Sequence, residues 1–397
     1  MKRSFRQLRP WPGHGLGALL TRHCLIVSLA CFVLGTLCLQ ATAQVVTRFP
    51  AKGQVPAGYP AQYAAIIAAA EQEGQLVIHS TTDIRIAAPL IDDFQALYPR
   101  IEIQYLDMNS NDLYNTYLGD LLASPTTADV LWSSAMDLQF RLASAGQAQA
   151  YGSPEIAGLP PWAVWKNMAF GTTFEPIVII YNKRLLGPDE IPQTHTELAR
   201  LLTEKRDRFA SKIVTYNIER SALGLLLATQ DEGASGEFWP LMKALGGVGV
   251  HLVPTTEAIL SRVAKAEDVI GFNALGSYAY IESKIDPSIG FVYPRDYTLI
   301  ITRVMFIGKK AANPNAAKLW VDYLLSRRGQ TVLANRADLP SLRMDVEGVN
   351  SAATLTKVLG QSVRPIPLGP ELLASFSDPS KRLAFLRQWQ QAVGIKQ

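Results

Sequence analysis

The sequence predicts an α/β protein with two lobes, each built around a mostly parallel β-sheet. Short apolar strands alternate with amphipathic helices along most of the chain, which is the pattern of parallel sheets covered by helices. The chain of 397 residues is also longer than one hydrophobic core usually supports, so two lobes of roughly 100 to 200 residues are expected. Several strands end in polar side chains just before a helix, which indicates a polar crevice at the sheet edge.

The first 43 residues have the pattern of a cleaved secretory signal peptide. Residues 1–24 contain five basic residues and no acidic residue, residues 25–39 are largely apolar, and Ala41-Thr42-Ala43 supplies small residues for cleavage. An uncleaved membrane anchor is the alternative, but the apolar run is short for a span of ~20 residues. We therefore expect a secreted protein from which residues 1–43 are removed.

The mature chain is nearly neutral and contains no cysteine. All three cysteines lie in the leader, so disulfides and thiolate metal sites are excluded from the remaining 354 residues (397 less 43). Removing the five basic leader residues changes the formal charge from +4 to −1, with 33 Lys and Arg against 34 Asp and Glu. We therefore expect no binding to nucleic acid or to an anionic membrane.

Two strand ends in the first lobe carry adjacent hydroxyl groups. Leu76 to Asp83 begins as a short apolar strand and ends in hydroxyls before an amphipathic helix, and the segment from Asp129 to Trp132 repeats this arrangement. The hydroxyl residues are Ser80, Thr81, Thr82, Ser133 and Ser134. Such side chains often serve only as caps of the next helix. The sequence leaves two interpretations open, a helix cap and a ligand site.

Two apolar segments are interpreted as strands that cross between the lobes. Pro176 to Tyr181 is almost wholly apolar and follows Gly171-Thr172-Thr173. Asp296 to Ile307 is long enough to return to the first lobe, and it is interrupted by Thr302 and Arg303. These crossings assign residues 44–175 and 303–397 to lobe one and residues 176–302 to lobe two.

The second lobe contains a strand end that suits an anion. Ile213 to Tyr216 is a short strand, and Arg220 and Ser221 stand at the start of the apolar helix that follows. A guanidinium beside the free N–H groups of a helix N-terminus suits a phosphate or a carboxylate. The alternative is that Glu219 pairs with Arg220 on the surface and that Ser221 only caps the helix.

The motifs of common enzyme and metal sites are missing from the sequence. The mature chain has three histidines, His79, His195 and His251, and none lies in zinc-binding spacing. No G-x-S-x-G elbow, Walker A loop or dinucleotide fingerprint occurs. We therefore expect neither an enzyme nor a cofactor.

The arrangement of leader, lobes and crossings resembles a periplasmic substrate-binding protein of an ABC importer. Tyr181-Asn182-Lys183 after the first crossing and a helix over Ala311 to Leu325 after the second are similar to the ferric-iron-type group. The resemblance covers nearly all of Gly74 to Leu333. It implies a type II binding-protein fold, a periplasmic location, a monomer, and hinge closure over a small molecule that is delivered to a permease in the inner membrane.

The resemblance leaves two kinds of ligand open. Iron binders of this group use two adjacent tyrosines, whereas here Tyr278 and Tyr280 are separated by Ala279 and point to different sides of a helix. Other members bind phosphorylated sugars, so a small organophosphate anion is favoured. Ferric iron held by Tyr278 and Tyr280 is one alternative, and a partner that reports the ligand to a membrane sensor kinase is another. The predicted ligand contacts are Ser80, Thr81, Thr82, Ser133, Ser134, Thr173, Arg220, Ser221, Asn273 and Tyr278.

Overall fold

The computed structural model describes residues 54–374 and 378–395. The predicted signal peptide, residues 1–43, lies outside the described residues. Within these two ranges, no helix has both the length and the apolar character needed to cross a membrane. The described chain forms an α/β structure with two sheets, which confirms the predicted fold class.

The strands and helices alternate along most of the chain. The strands are β1 (Gln75–Ser80), β2 (Glu102–Asp107), β3 (Val130–Ser133), β4 (Ala148–Gln149), β5 (Val164–Trp165), β6 (Ala169–Gly171), β7 (Glu175–Asn182), β8 (Ile213–Tyr216), β9 (His251–Val253), β10 (Ile270–Leu275), β11 (Ile289–Val292), β12 (Thr298–Ile301), β13 (Val304–Gly308) and β14 (Val363–Pro365). The α-helices are α1 (Tyr63–Glu73), α2 (Ile84–Leu97), α3 (Ser110–Ala123), α4 (Met136–Leu142), α5 (His195–Glu204), α6 (Ala222–Ala234), α7 (Phe238–Gly247), α8 (Thr256–Ala264), α9 (Gly276–Ile285), α10 (Pro314–Leu325), α11 (Arg327–Asn335), α12 (Ala352–Leu359), α13 (Glu371–Ala374) and α14 (Pro379–Val393).

Sheet one forms the centre of the first lobe. Its strand order is β2-β1-β3-β13-β6-β5, and β4 also pairs with β13. The strands β1, β2 and β3 are parallel and are followed by helices. The strand β13 runs antiparallel to β3 and β6.

Sheet two forms the centre of the second lobe. Its strand order is β14-β12-β7-β10-β8-β9, and β11 also pairs with β7. The strand β8 is parallel to β9 and β10, whereas β7 is antiparallel to β10 and β12. Both sheets are thus more mixed than predicted, because β7 and β13 enter them from the other lobe and pair antiparallel to their neighbours.

The two crossings between the lobes meet at Thr302. The predicted long strand from residue 296 to residue 307 is divided by Thr302 and Arg303 into β12 in sheet two and β13 in sheet one. The hydroxyl of Thr302 accepts hydrogen bonds from the backbone N–H groups of Thr172 at 2.9 Å and Thr173 at 3.1 Å. These bonds join the second crossing to the segment that leads into β7.

Two C-terminal elements, β14 and α14, pack with lobe two, whereas the prediction grouped all of residues 303–397 with lobe one. The strand β14 pairs with β12 of sheet two. In α14, Trp389 and Val393 are buried in one apolar cluster with Phe238 and Leu241 of α7. The helix therefore covers an apolar face of lobe two. Its amphipathic pattern indicates a buried face but does not say which lobe supplies the partner.

Candidate functional site

A cavity of about 600 Å³ lies between the two lobes. It opens at the carboxyl ends of β1, β2, β3 and β8, where polar side chains follow the strands. Its size is within the range of small-molecule sites in proteins. The lining residues are Thr81, Asp83, Asp107, Met108, Asn109, Ser110, Asn111, Asp112, Ser134, Tyr216, Arg220, Ser221, Leu223, Pro254, Thr255, Thr256, Glu257, Leu275, Tyr278 and Arg303.

Two of the five predicted hydroxyl residues of lobe one reach this cavity. Thr81 and Ser134 line it, and the Thr81 hydroxyl accepts a hydrogen bond from the Ser134 backbone N–H at 3.0 Å. Ser80 instead donates to the Trp132 carbonyl, and Ser133 accepts from the Ala135 backbone N–H. Successive side chains at a strand end point to opposite sides, so alternate hydroxyls turn into the protein.

Three predicted residues of lobe two also line the cavity, namely Arg220, Ser221 and Tyr278. Ser221 is the N-cap of α6 and accepts a hydrogen bond from the Gly224 backbone N–H at 3.1 Å. The Arg220 side chain is exposed, while its carbonyl accepts a bond from the Asn111 amide of lobe one at 3.2 Å. Ser221 therefore both caps the helix and faces the cavity.

The remaining predicted contacts are buried behind the cavity, which corrects the prediction for them. Thr82 and Thr173 hold Arg303, because the Thr82 hydroxyl accepts from Nη1 and the Thr173 hydroxyl accepts from the Arg303 backbone N–H. Asn273 has a positive φ of 63° and donates its amide to the buried carboxylate of Asp231 at 2.5 Å. These side chains, like Ser80 and Ser133, are occupied by partners inside the protein.

Arg303 is a cavity residue that the ligand prediction did not include. Its side chain is 1% exposed. The guanidinium donates to both carboxylate oxygens of Glu175, at 2.8 and 3.1 Å, and to the Thr82 hydroxyl at 2.9 Å. A guanidinium has five N–H groups, and among the described residues the other two have no acceptor. The sequence feature that could have identified Arg303 is its charge within an otherwise apolar crossing segment.

The electrostatics around Arg303 keep the guanidinium charged and the neighbouring phenol neutral. Burial lowers the pKa of Arg303, but the Glu175 carboxylate together with Tyr278 and Tyr105 outweighs burial, so the pKa rises above its ordinary value. Burial raises the pKa of Tyr278, although Arg303 acts in the opposite direction. The Tyr278 ring lies 5.4 Å from the guanidinium carbon. The phenol is therefore available as a hydrogen-bond donor rather than as an anion.

Four helices point their N-termini at the cavity. The N-cap residues of α2, α3, α6 and α8 are Asp83, Asn109, Ser221 and Thr255, and all four line it. Each N-terminus carries the positive end of a helix dipole. Acidic side chains are also present in the lining, at Asp83, Asp107, Asp112 and Glu257. The cavity thus presents both positive dipoles and carboxylates to a ligand.

A second cavity of about 480 Å³ adjoins the first. The two share three lining residues, Asp83, Glu257 and Tyr278. The second cavity is bounded by α2, α8 and α9, and by the segment from Arg336 to Asp338 after α11. A ligand that reaches past Tyr278 would therefore enter this second space.

The two tyrosines of the iron alternative lie in different surroundings. Tyr278 lines both cavities, whereas Tyr280 lines neither and packs against Lys284, whose Nζ lies 5.3 Å from the ring centroid. In the part of the chain that the structure describes, no group of three or more His, Cys, Asp and Glu residues is arranged to hold a metal ion. The geometry therefore does not bring the two phenol groups to one site.

Comparisons with known proteins identify the family. Residues 79–331 match the family of bacterial extracellular solute-binding proteins. The substrate-binding protein of an ABC transporter from Agrobacterium tumefaciens is 35% identical, with a TM-score of 0.76, over 80% of this chain and 94% of that one. No curated protein matches the chain.

Two more distant structures share the fold. The periplasmic binding protein AfuA from Actinobacillus pleuropneumoniae, solved with fructose-6-phosphate, is 19% identical, with a TM-score of 0.66, over 81% of this chain and 99% of that one. The apo ferric ion-binding protein A of Pasteurella haemolytica is 16% identical, with a TM-score of 0.63, over 80% of this chain and 98% of that one. These relatives confirm the type II binding-protein fold. The chain belongs to the bacterial extracellular solute-binding proteins and is the solute-binding component of an ABC transporter, with a small-molecule ligand and an ABC permease as its partners.

Proposed function

We propose that the cavity between the lobes binds a small anionic solute, with an organophosphate as the favoured class. The observation that carries this proposal is the buried Arg303 guanidinium, which lines the cavity with two N–H groups that have no acceptor among the described residues. A fixed guanidinium with N–H groups that have no protein acceptor suits a phosphate or carboxylate. Arg220 and the four helix N-termini add positive potential on both sides of the cavity.

The hinge of this binding protein is proposed to lie where the crossings meet. Residues 172–175 and residues 302–303 connect the two sheets, and closure would rotate sheet two about them.

We further propose secretion to the periplasm through a cleaved signal peptide at residues 1–43, action as a monomer, and no enzymatic activity. Ferric iron is the less favoured cargo, because Tyr280 lies outside the cavity that Tyr278 lines.

The direct test is to identify the solute that the protein carries. The full-length gene would be expressed in its native host, and the secreted protein would be analysed by native mass spectrometry and then by mass spectrometry of the released small molecule. We expect a phosphorus-containing organic anion. A bound ferric ion with a phenolate absorption band, or a ligand that lacks an anionic group, would overturn the proposal.

A further inference from the structure

The cavity lining contains more carboxylates than positively charged side chains when the residues that already form ion pairs are left out. Asp83 forms an ion pair with Arg85, and Arg303 forms one with Glu175. Within the described chain, Asp107, Asp112 and Glu257 have no ion-pair partner, and neither has Arg220. The lining therefore holds three carboxylates against one unpaired guanidinium. A solute carrying only negative charge would meet net repulsion from these side chains at short range.

Glu257 has the position to contact a solute directly. It lies in the first turn of α8 and lines both cavities together with Asp83 and Tyr278. Among the described residues, no side chain or backbone group forms a hydrogen bond or ion pair with its carboxylate. Tyr278, its neighbour in the lining, has its ring 5.4 Å from the guanidinium carbon of Arg303. Glu257, Tyr278 and Arg303 thus line the same cavity.

We propose that the solute is zwitterionic, with an anionic group bound by Arg303 and an ammonium group bound by Glu257. This inference rests on the proposed function and specifies its solute class. An ammonium group supplies the positive charge that the lining lacks and donates charge-assisted hydrogen bonds to a carboxylate. The buried Arg303 guanidinium, which is 1% exposed and faces the same cavity, fixes where the anionic end binds.

The position of Glu257 at the junction of the two cavities sets the geometry of such a solute. The anionic end lies in the first cavity beside Arg303, and the ammonium group lies near Tyr278 and Glu257. Any further part of the solute extends into the second cavity between Ile86, Leu260 and Ile281. These apolar side chains suit a short hydrocarbon portion better than additional charge.

Three phosphate monoesters of nearly equal size test this inference by isothermal titration calorimetry on protein freed of its native solute. They are phosphorylethanolamine, 2-hydroxyethyl phosphate and propyl phosphate, which end in an ammonium, a hydroxyl and a methyl group. We expect phosphorylethanolamine to bind about tenfold more tightly than the hydroxyl compound, since an ammonium forms charge-assisted bonds to a carboxylate. In the variant Glu257→Gln this preference should fall to within about twofold, because the charge is removed.

The matched control is Glu232→Gln, because Glu232 is an exposed carboxylate on α6 that lines neither cavity. We expect this variant to keep the preference for the ammonium compound. Equal affinity for all three compounds in the wild-type protein, or an unchanged preference in Glu257→Gln, would overturn the zwitterion inference and leave the proposed anion site standing. If none of the three binds the wild-type protein, the proposed anion site fails together with the inference. A uniform loss of affinity in Glu257→Gln would show that Glu257 only stabilises α8.

Discussion

The Arg303 guanidinium and the Glu175 carboxylate form a bidentate ion pair at the point where the two crossings between the lobes meet. Their hydrogen bonds are 2.8 and 3.1 Å long, and both side chains are at most 1% exposed. The hydroxyls of Thr173 and Ser277 also donate to the same carboxylate. Because Glu175 neutralises the charge of Arg303, the pair adds little net positive charge to the lining of the cavity.

Removing the Glu175 charge is expected to destabilise the protein strongly. In Glu175→Gln the Arg303 guanidinium stays buried without its counter-charge, and breaking such a pair costs about 3–5 kcal/mol of unfolding free energy. Urea denaturation followed by circular dichroism measures this change. The double variant with Arg303→Met removes the buried charge as well, so it should recover a large part of the loss. A double variant as unstable as the single variant would show that the carboxylate acts mainly through its hydroxyl contacts.

Removing the Arg220 side chain is expected to weaken solute binding without unfolding the protein. The side chain is exposed at the cavity, whereas the cap of α6 depends on Ser221. In Arg220→Ala, affinity for the solute recovered from the native host should fall roughly tenfold to a hundredfold, as expected for a lost charge-assisted contact. Calorimetry measures the affinity, and Arg200→Ala, on the exposed face of α5, is the control. Unchanged affinity would remove Arg220 from the site.

The sequence predicted the location of the site better than its individual contacts. The strand ends at residues 80–82, 133–134 and 216–221 were identified from apolar runs that stop at polar residues, and each contributes to the cavity. Which hydroxyl faces the solute depends on the pleat of the strand, and so Thr81 reaches the cavity whereas Ser80 does not.

Long-range pairing explains what the sequence did not reveal. Arg303 is identified as a cavity residue only when its partner Glu175, 128 positions earlier, is placed beside it. The same limit applies to the C-terminal helix, since its buried Trp389 packs on α7 more than a hundred residues away in the chain. Periodicity gives the face of a helix that is buried, but the partner follows from the topology of the whole chain.

Asp322 is expected to make stability depend on pH. The hydroxyls of Tyr63 and Tyr151 donate to its carboxylate at 2.7 and 2.6 Å, and burial raises its pKa from 3.8 to about 6. The pKa of Asp322 is higher in the folded state than in the unfolded state. Its contribution to the free energy of unfolding is therefore complete below about pH 4 and is lost as the pH rises through 6. The loss amounts to about 3 kcal/mol for a shift of this size.

The variant Asp322→Asn isolates this effect because an amide does not ionise, while its oxygen can still accept from both tyrosines. Relative to the variant, the wild-type protein should lose about 3 kcal/mol of unfolding free energy between pH 4 and pH 7. Urea denaturation at a series of pH values gives the difference. Asp92→Asn, on the exposed face of α2, is the control and should show no such trend. Parallel curves for wild type and Asp322→Asn would contradict the prediction.

An ion pair across the cleft is expected to favour closure of the lobes. Lys284 on α9 of the second lobe lies 2.8 Å from Asp338, which follows α11 of the first lobe. Both side chains are partly exposed, at 51% and 29%, so the pair contributes only about 0.2–1 kcal/mol. In Lys284→Ala the ratio of closed to open molecules should therefore fall by at most about fivefold.

Small-angle X-ray scattering with and without the native solute measures this shift as a larger radius of gyration in the solute-free variant. Lys265→Ala is the matched control, because Lys265 lines the same second cavity without an ion-pair partner among the described residues. Since solute binding and closure are coupled, a less populated closed state also lowers the apparent affinity by the same factor. Lys284→Ala with an unchanged radius and an unchanged affinity would show that the Lys284–Asp338 ion pair does not contribute to closure.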